Sequence, residues 1–182
     1  MRILVAYASR SGATREIAER IGDRLRMAGL DADVEAVSGV PDVTAYDACV
    51  VGSAVYLGRW EKAAVEFVER NRTAFAGRPT WLFSSGPLGT EPLMNGVDKR
   101  EGAVTAEVIA ALVEIAQPRD HRVFYGALDP RRLGMGPRLM RILPAGRKLL
   151  EAGDFRDWPE IEGWADGIAA ELAGMKVPAV IA

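Results

Sequence analysis

Cysteine and histidine are nearly absent from this chain of 182 residues, which contains one of each, Cys49 and His121. A single cysteine excludes a disulfide scaffold and a cysteine-based zinc site within one chain, and it indicates a reducing compartment. A single histidine rules out histidine-rich metal sites and leaves most Cys–His and Ser–His catalytic arrangements without a base. We therefore expect no metal site, and no residue stands out as a catalytic acid or base.

A strong charge of one sign and a long apolar run are lacking as well. The formal net charge is −2, with 49% hydrophobic and 26% charged residues, as in an ordinary globular protein. This balance argues against a nucleic-acid partner. Because no window is long enough to span a membrane, and the N-terminal apolar run is too short for a signal peptide, we predict a cytoplasmic protein. The length favours one domain over residues 1–182.

The first thirty residues contain the most informative pattern. An apolar run, Ile3 to Ala8, is followed by a turn, Ser9-Arg10-Ser11-Gly12-Ala13-Thr14, and by a helix predicted from Thr14 to Gly29. Three hydroxyls and the free N–H groups at the start of the helix suit a phosphate. No G-x-G-x-x-G follows this strand, and no G-x-x-x-x-G-K-[ST] occurs anywhere. The alternative is an ordinary strand-to-helix turn capped by serine.

Short apolar or alternating segments predict four further strands, and amphipathic segments lie between them. The predicted strands are Ala32–Val37, Ala48–Gly52, Pro79–Phe83 and Arg122–Leu128, and the predicted helices are Glu61–Asn71, Ala103–Ala116 and a last helix from about Asp157. This alternation predicts an α/β fold with a five-stranded parallel sheet in the order 2-1-3-4-5 and helices on both faces. Ser38–Asp47 is too short for a helix, so we expect a loop crossover there.

Three loops are expected to meet at the carboxyl ends of the strands, where ligands bind in sheets of this order. They are Ser9–Thr14, Ser53–Trp60 and Ser84–Gly89. Tyr56 and Trp60 offer aromatic surface to a flat heterocycle, and the third loop offers hydroxyl and N–H groups to its polar edge. A phosphate at one end and a planar ring at the other describe flavin mononucleotide (FMN). The alternative for the two aromatic residues is packing against neighbouring loops.

These residues resemble a known family. The segment from Ser9 to Ala18 resembles the phosphate loop of flavodoxins. Further matches, which are similar to the flavodoxin-type, menaquinone-dependent protoporphyrinogen IX dehydrogenases, are Val51–Gly58 followed by Glu66-Phe67-Val68, Gly126-Ala127-Leu128 before a basic insert, and Asp157-Trp158 at the start of the last helix. The resemblance covers nearly the whole chain and implies a flavodoxin-like three-layer sandwich that binds FMN. The loop Ser84–Gly89 departs from the dehydrogenase pattern.

The resemblance and the loop positions together give a set of predicted FMN contacts. The predicted phosphate contacts are Ser9, Arg10, Ser11, Gly12, Ala13 and Thr14. The predicted contacts to the isoalloxazine ring are Ser53, Ala54, Val55, Tyr56, Leu57, Gly58 and Trp60 from one loop, and Ser84, Ser85, Gly86, Pro87 and Gly89 from the other.

The segment Pro130–Leu150, called here the basic insert, contains six basic residues and no acidic one. Its apolar residues, Leu139, Met140, Ile142 and Leu143, lie between arginines, which suits an anionic membrane surface or an acidic partner. The alternative is a solvated basic face, because glycine and proline interrupt the segment. Contact with the inner face of the membrane would go through this insert.

Three functions remain open from the sequence. The first is an FMN oxidoreductase that passes electrons from a reduced substrate, such as protoporphyrinogen IX, to a quinone. The second is a flavodoxin-type electron carrier that has no substrate of its own and needs a redox partner protein. The third is a flavodoxin-shaped binding or regulatory module that has lost flavin.

Overall fold

The computed structural model describes residues 1–89, 93–94, 97–98, 100–144, 146 and 150–175. Its strands are β1 (Arg2–Ala8), β2 (Asp31–Ala36), β3 (Ala48–Tyr56), β4 (Arg59–Trp60), β5 (Thr80–Ser85), β6 (Leu93–Met94), β7 (Val97–Asp98), β8 (Asp120–Phe124), β9 (Ala127–Leu128) and β10 (Gly153–Asp154). Its α-helices are α1 (Ala13–Met27), α2 (Lys62–Arg70), α3 (Arg72–Phe75), α4 (Ala106–Ala116), α5 (Met135–Met140) and α6 (Trp158–Gly174).

The central sheet has the predicted strand order. Strands β1, β2, β3, β5 and β8 pair in parallel in the spatial order β2-β1-β3-β5-β8, which is 2-1-3-4-5 when these five strands alone are numbered. Residues 37–47 contain no helix and carry the crossover from β2 to β3 as a loop, as expected. The order places the switch point between β1 and β3.

Helices cover both faces of the sheet and bury two apolar clusters. On one face α1 and α6 pack together, with Ile21, Leu25 and Ile168 at most 2% exposed. On the other face α2, α3 and α4 bury side chains such as Phe67 and Leu112. Continuous apolar strands such as β3 require cover on both sides, which explains the layering. The predicted three-layer α/β fold is confirmed.

Two helices start differently, and the difference matters for the site. The last helix, α6, is capped by Asp157, whose Oδ1 accepts a hydrogen bond of 3.0 Å from the N–H of Glu160. The first helix, α1, follows Gly12, which has no side chain to cap it. The first N–H groups of α1 therefore keep their capacity to bind an external acceptor.

Three local predictions were wrong. Ser53–Trp60 is not a loop, because β3 continues to Tyr56 and turns back into β4 through a two-residue hairpin. The predicted irregular stretch Ser84–Gly102 begins with the end of β5 and contains the antiparallel strands β6 and β7, while residues 90–92, 95–96 and 99 lie outside the described part. The predicted strand Arg122–Leu128 ends at Phe124, and β9 pairs with β10 instead of continuing it.

The β9–β10 ribbon brings the two ends of the basic insert together. Gly153 pairs with Leu128, and Asp154 pairs with Ala127. Between them the chain forms a 3-10 helix, Pro130–Arg132, and the short helix α5. Residues 145 and 147–149 of the insert, and with them the basic residues Arg147 and Lys148, lie outside the described residues.

Candidate functional site

The three predicted loops lie side by side in the structure. Parallel pairing sets Ala8 of β1 beside Ser53 of β3, and Ala54 of β3 beside Ser85 of β5. Because adjacent strands are about 4.8 Å apart, the segments that leave these strands start within one small region. This region, at the carboxyl ends of β1, β3 and β5, is the candidate site.

The first loop, Ser9–Thr14, surrounds the start of α1. Gly12 has φ of 95°, a left-handed conformation that glycine adopts without steric cost. Its N–H donates to Ser9 Oγ at 3.0 Å, which closes the turn. Thr14, in the first turn of the helix, is buried, while Ser11 and Ala13 are partly exposed. The turn therefore presents backbone N–H groups and the positive end of the helix dipole to one point.

An ion pair joins the first loop to Glu61, the residue before α2. Arg10 Nε donates to Glu61 Oε2 at 2.9 Å, and its guanidinium lies 5.0 Å from the centroid of the Tyr56 ring. The Glu61 side chain is 11% exposed, and the Arg10 side chain is 69% exposed. Glu61 Oε1 lies 2.8 Å from the same nitrogen but is buried and has no aligned hydrogen-bond donor among the described residues. Both carboxylate oxygens of Glu61 thus lie against Arg10, and the sequence did not point to this ion pair.

The β3–β4 hairpin places an apolar side chain at the edge of the site. Leu57 and Gly58 form its two-residue turn with φ of 51° and 74°. A positive φ is unfavourable for leucine, and such strain is concentrated at functional positions. Leu57 is 92% exposed. The Gly58 carbonyl accepts a hydrogen bond of 2.8 Å from the N–H of Thr105, which fixes the hairpin to the start of α4.

Several predicted ring contacts lie inside the protein instead of facing the loops. Trp60 is 4% exposed, and its Nε1 donates to Ser84 Oγ at 2.7 Å. Ser84 and Ser53 are fully buried, and Ser53 Oγ accepts a hydrogen bond of 2.9 Å from the N–H of Glu61. The prediction that Trp60 flanks a ring is therefore corrected: the β4 pairing turns it into the core. Its burial follows the alternative of packing that the sequence left open.

The third loop, Ser84–Gly89, is fixed to the segment after β8. The N–H of Gly86 donates to the carbonyl of Phe124 at 3.0 Å, and the N–H of Gly126 donates to the carbonyl of Pro87 at 2.9 Å. Gly86 and Gly89 both have positive φ, 112° and 108°. Backbone conformations of this kind let the main chain approach a planar ligand closely.

Two arginines outside the predicted set reach the first loop. Arg132 Nη1, from the basic insert, donates to the carbonyl of Ser11 at 3.2 Å. Arg156 Nη1 donates to the carbonyl of Ala13 at 3.3 Å and to Glu16 Oε2 at 2.8 Å. A cavity of about 230 Å³ lies between this loop and the β9–β10 ribbon. The sequence showed that the insert is basic, but its distance along the chain hid its proximity to Ser11.

Beneath the loops, the lone histidine belongs to the same buried polar chain as Trp60. His121 Nε2 lies 2.9 Å from Ser84 Oγ. Burial lowers the pKa of His121, although the neighbouring Asp120 carboxylate acts in the opposite direction. Burial raises the pKa of the Cys49 thiol to about 12, so this thiol stays protonated and unreactive in the folded protein. Among the described residues, no cluster of three or more potential metal ligands is found.

We expect a nuclear magnetic resonance titration of His121 to give a pKa below the ordinary value of about 6.5. Since the folded pKa is depressed, His121 contributes its full stabilisation above about pH 6.5, and this is lost as pH falls through the folded pKa. The free energy of unfolding should therefore decrease on acidification below about pH 6.5, and less so in a His121→Asn variant. The neighbouring Asp120 loses its proton at lower pH than His121, because its pKa is lowered. Burial raises that pKa, but the hydrogen bonds from Arg122 and Trp164 outweigh the effect of burial. A measured pKa of His121 above the ordinary value would contradict this assignment.

The arrangement fits FMN on two structural observations. Gly12 has a φ of 95°, a conformation that a residue with a side chain would find strained, so the turn presents main-chain groups at this point. The loop with positive φ at Gly86 and Gly89 brings main chain to the same edge of the sheet as the partly exposed Tyr56. A turn of the kind that suits a phosphate and two neighbouring loops therefore lie at one edge of the sheet.

Comparison with known proteins agrees with this geometry. A family model described as flavodoxin domain matches residues 4–143. Protoporphyrinogen IX dehydrogenase (quinone) of Escherichia coli is 31% identical over 94 residues, which is 50% of this chain and 52% of that protein. The chain thus spans about half the length of the curated relatives it matches.

Solved structures with the same fold are similar over nearly the whole chain. A flavodoxin from the domain Archaea aligns with a TM-score of 0.58 and 16% identity, and covers 95% of this chain and 99% of its own. A flavodoxin from Streptococcus pneumoniae aligns with a TM-score of 0.57 and 21% identity over 96% and 99%. The flavodoxin family binds FMN, the cofactor predicted from the sequence. From its sheet order, its phosphate-type turn and the matched residues, the chain belongs to the flavodoxin domain family.

Proposed function

We propose that this protein is an FMN-dependent oxidoreductase that takes electrons from a reduced substrate and passes them to a quinone. The observation that carries the proposal is the uncapped start of α1 behind Gly12, at the switch point of a flavodoxin sheet. When bound, FMN supplies the electron transfer, and the protein supplies its position and electrostatic surroundings.

The chain's own groups divide the work between the two ends of the cofactor. Backbone N–H groups of the turn Ser9–Thr14 hold the phosphate, helped by the positive end of the α1 dipole. On the ring side, the partly exposed Tyr56 and the loop around Gly86 remain available as contacts. Arg59 is exposed close to this end, and its positive charge would stabilise the negatively charged reduced cofactor, whereas the charge of Arg10 is balanced by Glu61. Trp60, Ser53 and Ser84 support these loops from inside.

Protoporphyrinogen IX is the candidate substrate, and the 31% identity to the dehydrogenase supports it. That match covers half of the chain, so it supports the substrate over part of the sequence. The competing function is electron transfer to a redox partner protein without a substrate of its own. Both functions require bound FMN, so the flavin absorption does not distinguish them. Only the first function predicts turnover of a substrate.

A two-step experiment tests the proposal. Purified protein is first titrated with FMN, and binding is followed by quenching of flavin fluorescence. The FMN-loaded protein is then mixed without oxygen with protoporphyrinogen IX and a menaquinone analogue, and porphyrin fluorescence is recorded. We expect FMN binding and quinone-dependent porphyrin formation. FMN binding without turnover would favour the electron carrier, and protein that stays colourless would favour a module without flavin.

We also propose that the basic insert contacts an anionic membrane surface. Four apolar side chains of this segment are exposed: Met135 (89%), Leu139 (68%), Ile142 (64%) and Leu143 (65%). Arg138 and Arg141 lie among them in sequence, the combination that suits an anionic interface. Within the described ranges, no helix is long and apolar enough to cross a bilayer.

Sedimentation with vesicles tests this contact. We expect binding to vesicles that contain anionic lipid and weaker binding at high salt, because screening reduces the attraction. Replacing Arg138, Arg141 and Arg147 with glutamate should abolish sedimentation. Sedimentation that persists in this variant would remove the proposal and favour a merely solvated basic face.

A further inference from the structure

Arg132 reaches from the basic insert to the phosphate-type turn at the other end of the chain. Asp129 caps the 3-10 helix Pro130–Arg132 by accepting the N–H of Arg131 at 2.9 Å, which directs the chain toward α1. Arg132 Nη1 then lies 3.2 Å from the carbonyl oxygen of Ser11. It is also the atom that a Cβ at Gly12 would meet at 2.7 Å. A guanidinium thus stands directly against the backbone of the turn.

The two arginines at this turn are held with very different strength. Arg156 is 6% exposed, and its guanidinium lies 2.8 Å from Glu16 and 2.6 Å from Asp154. Arg132 is 52% exposed, and its carboxylate contacts are long, 3.4 Å to Glu16 and 3.8 Å to Asp129. Long, exposed ion pairs contribute little free energy, so reorienting Arg132 costs little. Arg156, in contrast, is a fixed partner for Glu16.

This division of roles matters for an anion at the turn. The Glu16 carboxylate lies in the first turn of α1 and would repel a phosphate dianion if its charge were not balanced. Arg156 balances it from a buried position. Arg132 is the exposed and weakly paired cation at the turn, 3.2 Å from the Ser11 carbonyl oxygen. Planar guanidinium groups bind phosphate oxygens through two parallel hydrogen bonds.

We propose that Arg132 is a phosphate-binding residue, supplied by the basic insert, that makes the site select FMN over the uncharged riboflavin. The inference rests on the proposed function, because it takes the turn Ser9–Thr14 as the phosphate site. The basic insert then has a role at the cofactor besides any contact with a membrane. The competing interpretation is that Arg132 merely attaches the insert to the turn through Ser11 and Glu16.

Neutralising single arginines separates the two interpretations. Arg132→Gln removes the guanidinium, and Arg131→Gln makes the same charge change at the preceding residue of the same 3-10 helix. Dissociation constants for FMN and riboflavin are measured by fluorescence quenching at low and at high salt. We expect Arg132→Gln to weaken FMN binding about tenfold, the usual scale of one charge-assisted hydrogen bond, and to leave riboflavin binding unchanged. Arg131→Gln should change the affinity for neither ligand beyond a general salt effect.

Other outcomes overturn the proposal in distinguishable ways. If Arg132→Gln weakens the binding of FMN and of riboflavin equally, or weakens the binding of neither, Arg132 is a structural attachment and the proposed function still stands. If the unaltered protein binds neither ligand, the proposed function fails together with this inference. Thermal denaturation of both variants detects a loss of folding, and Arg132→Lys, which keeps the charge but loses the planar fork, should recover part of the FMN affinity.

Discussion

Replacing Ser11 with aspartate is expected to weaken FMN binding at least about a hundredfold, the largest effect we expect from one substitution at the site. Ser11 is a partly exposed residue of the turn that we propose as the phosphate site. A carboxylate there would face a dianion, and two like unit charges 4 Å apart repel by about 4 kcal/mol at an effective dielectric constant of about 20. Titration of FMN by fluorescence quenching measures the loss.

The matched control is Ser11→Asn, which has the same shape as the aspartate variant without the charge. Its FMN affinity should fall far less, and riboflavin affinity should be similar in both variants because riboflavin has no phosphate. The repulsion should also shrink at high salt, because mobile ions screen exposed charges. Equal losses in the aspartate and asparagine variants would show that shape, and not charge, decides binding at this residue. That result would place the phosphate elsewhere.

Gly52→Ala is expected to lower the free energy of unfolding by about 2–3 kcal/mol, because it overpacks the centre of the sheet. A Cβ at Gly52 would lie 1.9 Å from Cζ of Phe83, on the neighbouring strand β5. Phe83 is fully buried and packs against the rings of Phe124 and Trp164, with centroids 6.1 and 6.3 Å away. The ring therefore has little freedom to move away. Urea denaturation measures the change.

A second substitution and a second glycine make this test specific. The double variant with Phe83→Leu and Gly52→Ala should lose less free energy of unfolding than the two single variants lose in sum, since the smaller side chain relieves the clash. Gly167→Ala, in α6, is the control: nothing lies within 4 Å of its added Cβ. There alanine should stabilise the helix by up to about 1 kcal/mol. If the changes in the free energy of unfolding of the two single variants simply add in the double variant, the Phe83 ring is not what clashes with a side chain at Gly52.

The sequence predicted the sheet order and both helical layers because these follow from local patterns. Ala48–Gly52 is an uninterrupted apolar run, which requires cover on both faces, and Ile17, Ile21 and Leu25 repeat at the helical period. The start of the last helix at about Asp157 was predicted for the same reason, and Asp157 caps that helix in the structure. Each of these signals involves residues that are close along the chain.

Predictions failed where a residue's surroundings depended on distant segments. Trp60 looked like a ring contact because it follows a strand, but its pairing with Val55 in a hairpin turns it toward Ser84. The break after Phe124 depends on β10, which lies more than twenty residues further along. The local hydrophobic periodicity does not show which segments pair in a hairpin or in a ribbon, so it could not predict either pairing.

By itself, the sequence determined that this is a parallel α/β protein with a small hydroxyl-rich turn at the end of its first strand, because periodicity and turn chemistry are local properties. Tertiary structure alone decided which side chains surround that turn. It placed Glu61 beside Arg10, and Arg132 and Arg156 beside Ser11 and Ala13, although these residues are far apart in sequence. The reason is physical: charge acts through space, and folding sets the distances between charges.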